Sequence, residues 1–242
     1  MIEEKKIMID RIPALQITCG ESSKGVIVFY HGWSSQKELQ SLRGRILAAY
    51  CYDVLIPDAM YHGERGSIDY NAETSYPLFW ETIFRNVEES SQIVAYIKTW
   101  KPRIPLAVMG HSMGGISTLG VMTHCQEYNT AVSLNGSGWW DESERRFRAA
   151  LHIDKPKEFF EIMKKINVLD PYTHMDQLNG RSVLALSGGA DPIVDNAAQK
   201  MYMEKLSGCA EINSCFQTYP GLCHFVTTNM MGDAVQWINK TI

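Results

Sequence analysis

The chain has 242 residues, 45% of them hydrophobic and 21% charged, which is enough apolar material for one large core and too much for a disordered or coiled-coil protein. A chain of this size buries roughly 70% of its unfolded surface, so one domain over 1–242 is expected. Twenty-three Lys+Arg against 27 Asp+Glu leave a net charge of −4, with no long block of one sign to grip nucleic acid. No stretch reaches about 18 consecutive apolar residues, so no membrane span is predicted. The charged start Met1-Ile2-Glu3-Glu4-Lys5-Lys6 has no apolar run behind it, so no signal peptide is expected either.

In chain order, residues 5–9 and 14–19 read as two short strands around Pro13, an antiparallel hairpin at a sheet edge. Short β-branched runs follow at 25–30, 53–57, 105–110, 131–135, 182–187 and 214–219. Continuous apolar runs of this length suit strands covered on both faces, as in a parallel sheet. Helical spacing is predicted near 36–50, 78–100, 113–126, 193–206 and 225–240. Strand alternating with helix means an α/β fold with a mostly parallel sheet of about eight strands. Residues 138–177 break the rhythm with Trp139, Trp140, Phe147, Phe159 and Phe160, and are expected to form a small helical cap inserted over the sheet's C-terminal edge. A long ordinary crossover is the alternative. The six cysteines contain no C-x-x-C pair and read as free thiols of a cytoplasmic protein, with Cys209 and Cys215 the one pair worth checking.

The chemistry concentrates at strand ends. After the run at 105–110 comes Gly110-His111-Ser112-Met113-Gly114-Gly115, with a helical stretch beginning at once. G-x-S-x-G between a strand and a helix places serine on a strained turn, and a Cβ at −2 or +2 would collide with the adjoining elements. The helix start beside it offers free N–H groups and a partial positive charge to an anion. A serine hydroxyl needs a base, and the base needs an orienting group. His224 follows the last predicted strand in Tyr219-Pro220-Gly221-Leu222-Cys223-His224-Phe225, on a loop that can reach back over the sheet edge. Asp191 follows the preceding strand in Ser187-Gly188-Gly189-Ala190-Asp191-Pro192, with Pro192 suited to the first position of a helix. Asp195 is the rival acid, one turn inside the predicted helix.

The order Ser112, Asp191, His224 resembles the α/β-hydrolase superfamily from residue 25 to the end. His31-Gly32-Trp33 looks like its H-G-x oxyanion loop, and by that resemblance the backbone N–H groups of Trp33 and Met113 would hold an oxyanion. Asp58-Ala-Met-Tyr-His62-Gly63-Glu64-Arg65-Gly66 is similar to a loop of small bacterial carboxylesterases in the dienelactone-hydrolase and prolyl-oligopeptidase-like branch. There His62, Glu64 and Arg65 would line or brace the substrate pocket; a loop held by the Glu64 and Arg65 charges and by Gly63 is the plainer alternative. Trp139 and Trp140 enter after Asn135-Gly136-Ser137-Gly138, and at least one of them is expected to stand over the acyl pocket; burial of both in the core is the alternative.

The expected protein is therefore a cytoplasmic serine carboxylesterase acting on a small-molecule ester of a small acid through an acyl-enzyme. No cofactor and no metal site are expected, since H-E-x-x-H and metal-ligand spacings are missing. Thioester or small-peptide hydrolysis by the same residues stays open at this stage, as does a hydrolase-fold binding protein with little turnover. Nothing in the sequence sets the oligomeric state.

Overall fold

The computed structural model describes residues 1–20, 22–155 and 157–242. β1 (Glu3–Ile9) and β2 (Ile12–Thr18) form the expected hairpin. Its turn lies at Asp10-Arg11, with Asp10 at φ 52°, because an aspartate tolerates the left-handed region that a two-residue reversal needs. Pro13 sits inside β2 opposite Met8. β3 (Gly25–Tyr30), β4 (Tyr52–Pro57), β5 (Leu106–His111), β6 (Thr130–Leu134), β7 (Ser182–Gly188) and β8 (Asn213–Tyr219) complete one sheet in the order β1-β2-β4-β3-β5-β6-β7-β8. From β4 to β8 all pairings are parallel, while β2 meets β4 antiparallel.

The pleat sends alternate residues to two cores. Val26, Val28 and Tyr30 of β3 join the core beneath α2 (Tyr76–Trp100), α3 (Met113–His124) and α6 (Asn196–Ser207). Ile27 and Phe29 of β3 face the other layer, made by α1 (Ser41–Ala49) and α7 (Thr228–Thr241). Strands β3 to β7 are buried along their length, apart from the half-buried His111 that ends β5, which is why they read as unbroken apolar runs, whereas β8 at the edge is half exposed.

Two more helices, α4 (Trp140–Leu151) and α5 (Phe159–Leu169), stand between β6 and β7. Trp140 is fully buried, 6.1 Å from both Trp80 and Phe84 by ring centroids. A Cβ on Gly120 of α3 would lie 2.5 Å from the Trp140 ring, so that glycine makes the seat. The Asp170 carboxylate accepts the N–H groups of Trp140, Asp141 and Tyr172, each at 3.0 Å, and so ties the start of α4 to the end of α5.

Helix starts differ from the sequence expectation in an instructive way. α6 begins at Asn196, capped by Asp195, whose side chain accepts the Ala197 N–H at 3.0 Å. Asp195 therefore ends the loop and caps the helix, and Pro192 lies four residues before the helix start. α7 likewise begins at Thr228, capped by the Thr227 hydroxyl. All six cysteines, Cys209 and Cys215 among them, are free thiols.

Candidate active site

Ser112 sits between β5 and α3 at φ 58°, ψ −122°, a conformation that a non-glycine residue adopts only under strain. The two glycines of the motif make it sterically feasible. A Cβ on Gly110 would run into the Gly114 carbonyl and come within 2.8 Å of Thr118 Oγ1; one on Gly114 would strike the Tyr30 carbonyl and reach 2.6 Å from that of His31. β5, α3 and the end of β3 are thereby pressed together at the turn, and the hydroxyl stands out at the sheet's C-terminal edge.

His224 and Asp191 come from the two loops that follow β8 and β7. The Ser112 hydroxyl lies 2.9 Å from His224 Nε2, and His224 Nδ1 donates to Asp191 Oδ2 at 2.6 Å. The other carboxylate oxygen, Oδ1, accepts the Ile193 and Val194 N–H groups at 2.9 and 3.1 Å. Burial opposes the charge of Asp191, but the bond from His224 and the two amides outweigh it and hold the carboxyl below its ordinary range. The loops are joined to each other: Gly189 N–H donates to Tyr219 O at 2.8 Å and Ala190 N–H to Leu222 O at 2.9 Å. Asn135, at φ 48°, spans three elements, accepting the Gly188 N–H at 2.8 Å and donating to Phe225 O at 3.1 Å. It thus braces the residue next to His224. The sequence holds a signal for it, an asparagine that ends a strand before two spaced glycines.

On the other side of Ser112, a Cβ on Gly32 would lie 3.4 Å from the Ser112 Cβ, so the loop after β3 passes against the serine. Trp33 follows on that loop. Met113 is the first residue of α3, and its N–H has no carbonyl partner within the helix. His111, whose ring centroid is 4.9 Å from that of His224, is pushed down to about 3 by burial, then by His224 and Arg43, and stays neutral.

A cavity of about 490 Å³ opens on Ser112. Trp33, Tyr70, Tyr76, Phe79 and Phe147 supply its aromatic walls. Trp139 and Trp140 do not line it, contrary to the expectation that at least one of them stands over the pocket. Trp140 faces inward under α4, as described, and Trp139 stacks on Tyr172 at 4.1 Å. The ring that α4 presents to the cavity is Phe147, two turns further on. The sequence expectation also fails for His62 and Arg65 as cavity walls. Arg65 is committed to Glu89 through two 2.7 Å bonds and to Asp58 O. His62 is fully buried behind Trp33, 5.0 Å from its ring. Glu64 pairs with Lys37 at 2.8 Å and Lys6 at 3.1 Å, not with Arg65.

Lys37 escaped the sequence reading altogether. Its side chain is 1% exposed and donates to Asp58 at 2.6 Å. Burial opposes its charge, but bonds to Asp58, Glu64 and Glu38 outweigh that and raise the ammonium above its ordinary range. A lysine in a polar stretch reads as solvated, and only the fold shows its partners. Among the described residues, no group of three or more His, Cys, Asp or Glu could hold a metal ion, and no helix is long and apolar enough to cross a membrane.

A strained serine between strand and helix, joined to a histidine and an acid from the next strand-end loops on this sheet order, defines a serine hydrolase of the α/β-hydrolase type. The family model described as serine aminopeptidase, S33, matches residues 21–166, and that of the prolyl oligopeptidase family matches 99–240. Each match covers more than half of the chain, which belongs to these families of the α/β-hydrolase superfamily. The chain is similar to the esterase YjfP of Escherichia coli (strain K12), 27% identical over 221 residues that make up 88% of either chain. It is equally similar to YitV of Bacillus subtilis (strain 168), whose esterase assignment is provisional, at 27% over 219 residues and 85% of either chain. Among solved structures, TT1662 from Thermus thermophilus shares the fold, with a TM-score of 0.81 at 17% identity over 99% of this chain and 98% of that one.

Proposed function

We propose that the protein is a carboxylesterase that hydrolyses esters of small apolar acids, with Ser112 as nucleophile, His224 as general base and acid, and Asp191 as the group that orients His224. The unbroken path from Ser112 Oγ through His224 to an ionised Asp191, with distances of 2.9 and 2.6 Å, is the observation that carries it. As Oγ adds to the ester carbonyl, its proton passes to Nε2. The developing oxyanion falls between the Trp33 and Met113 amides; the loss of such a donor costs about 3–4 kcal/mol in comparable sites. His224 then protonates the leaving alcohol, the acyl group stays on Ser112, and water activated by the same imidazole releases the acid.

The cavity supports the substrate class. Its walls are aromatic and its volume of about 490 Å³ suits a short acyl chain or a single ring. Helix α4 acts as a cap, since its Phe147, Ala150 and Leu151 border the cavity, while no residue of α5 does. The esterase names of the two bacterial relatives favour esters over amides. Six unpaired cysteines suit a reducing compartment, and we place the enzyme in the cytoplasm.

The test pairs chemistry with stability. Ser112→Ala should abolish hydrolysis of p-nitrophenyl butyrate and labelling by a fluorophosphonate, while leaving the melting temperature at or above that of the wild type, because the strained turn loses a side chain and little packing. Ester turnover retained by Ser112→Ala would remove the nucleophile from this reading.

A further inference from the structure

The loop after β3 carries Trp33, and the first part of the loop after β4, Asp58 to Arg65, lies behind it and does not line the cavity, which that loop reaches only from Tyr70 onward. Besides the Lys37 ammonium, three backbone N–H groups that donate to side chains lace the two segments. Ala59 N–H donates to His31 Nε2 at 3.0 Å, Ser34 N–H to His62 Nε2 at 3.2 Å, and Lys37 N–H to Asp58 Oδ1 at 2.9 Å. The middle bond falls directly beside Trp33. Ser34 has φ 59°, a left-handed conformation that costs a serine about 1–2 kcal/mol and persists only when neighbours impose it.

The ring that imposes it is itself fixed. His62 Nδ1 donates to Met60 O at 2.7 Å, which leaves the Nε2 lone pair to accept from Ser34. Its face stacks on Tyr70 at 4.8 Å and it meets Trp33 edge-on at 5.0 Å, while the Trp33 indole N–H donates to Tyr70 O at 3.1 Å. Gly63, next in the chain, has φ 54° and abuts the Asp58 carboxylate so closely that any Cβ would collide with it, which holds the loop's path. Burial lowers the affinity of His62 for a proton, with Met60 O and the Asp58 charge opposing, and the neighbouring His31 ring 5.1 Å away is likewise neutral.

We propose that His62 is a positioning residue for the oxyanion site: by accepting the Ser34 N–H it fixes the turn that aims the Trp33 N–H at the carbonyl carried by Ser112. This rests on the roles given above to Ser112 and Trp33. It also gives the segment from Asp58 to Arg65 a function other than substrate contact. Asp58 ties down the far end of the Trp33 loop and His62 its near end.

The experiment compares wild type, His62→Phe, which keeps a ring of similar shape without an acceptor, and His62→Gln, whose Oε1 occupies the place of Nε2. With p-nitrophenyl acetate, His62→Phe should lower kcat by about 10- to 100-fold, less than the 10²–10³ of removing a donor outright, with KM nearly unchanged. Inhibition by butylboronic acid, whose tetrahedral adduct places an oxygen in the same site, should weaken by a similar factor. His62→Gln should recover most of both losses. Wild-type kcat in His62→Phe, a loss confined to KM, or equal loss in Phe and Gln variants would overturn the proposal. Where His62→Phe does not melt cooperatively, His62→Asn replaces it: an acceptor at the Nδ1 position should not rescue, and an Asn variant as active as the Gln variant overturns the proposal. A wild type inactive on every ester refutes the assigned function and this inference together. An active, Ser112-dependent wild type with an unaffected His62→Phe refutes this inference alone.

Discussion

Replacing Asp191 with asparagine should cost the enzyme most of its turnover, and the hydrogen bonds say how. The carboxylate serves two sides at once, with Oδ2 on His224 and Oδ1 on the Ile193 and Val194 amides. An asparagine has one acceptor end and one donor end. If its oxygen stays on the two amides, its NH₂ faces His224 Nδ1, which must then accept, and the proton moves to Nε2 opposite Ser112. That imidazole cannot take the serine proton. If the amide turns over, Nδ1–H is restored but the NH₂ opposes two backbone donors, and losing two bonds to a carboxylate at about 1.5–3 kcal/mol each costs about 3–6 kcal/mol. At about 1.4 kcal/mol per factor of ten, kcat should fall by roughly 10²–10⁴. The assay is steady-state hydrolysis of p-nitrophenyl butyrate, with Asp195→Asn as control. Asp195 caps α6 and pairs with Arg146 at the surface, so its amide should leave kcat within about threefold. An Asp191→Asn enzyme within about tenfold of wild type, or a larger loss in Asp195→Asn, would refute the assignment.

The walls of the cavity give a second expectation: Phe147→Ala should raise kcat/KM for octanoate relative to butyrate esters by about tenfold or more, because each further methylene that finds wall to bury against is worth about 0.8 kcal/mol. Trp140→Ala should instead leave the chain-length profile in place and lower the unfolding free energy by about 3–5 kcal/mol, read from urea melts; a shifted profile would return the tryptophan to the pocket. Acid should destabilise the fold before the carboxylates titrate. His31 is buried and pushed down to about 4 from 6.5, so its contribution is whole above about 6.5 and declines as pH falls towards 4, by roughly 3 kcal/mol, because only the unfolded chain takes up the proton. His111 acts with the same sign. An unfolding free energy that does not drop between pH about 7 and about 4.5 would contradict the buried neutral imidazoles.

The sheet was legible because its central strands are covered on both faces and so carry their apolar runs openly, and because each chemical motif sits where such a run stops. Ser112, Asp191 and His224 come together in space for that reason: strand ends in a parallel sheet share one edge. What the sequence concealed is what each turn of a helix face meets. Trp140 and Phe147 are seven residues, nearly two whole turns, apart and so share one face of α4, both rings packing on Trp80, and nothing local says that this face lies over α3 at its first turn and reaches the cavity two turns on. The glycine at position 120 that receives Trp140 is twenty residues away. His62 and Lys37 were obscured in the same way, by partners on a different loop. The start of α6 was misjudged because two aspartates four residues apart both suit a helix cap, and only the bond from His224 reserves Asp191 for other work.

The seat of Trp140 also bears on how substrate enters. The first residue of α4 is wedged between α2 and α3, over a glycine with no room to spare, and its amide is held by Asp170. A helix pinned at that end would swing about it rather than lift away as a plate. Any such displacement would be least at Trp140 and greatest near Leu151, which is 60% exposed and borders the cavity, with His152 in the left-handed region just beyond. Phe147, between the two, packs edge-on against Phe79 at 5.8 Å, so a swing that widened the way to Ser112 would have to break that contact first.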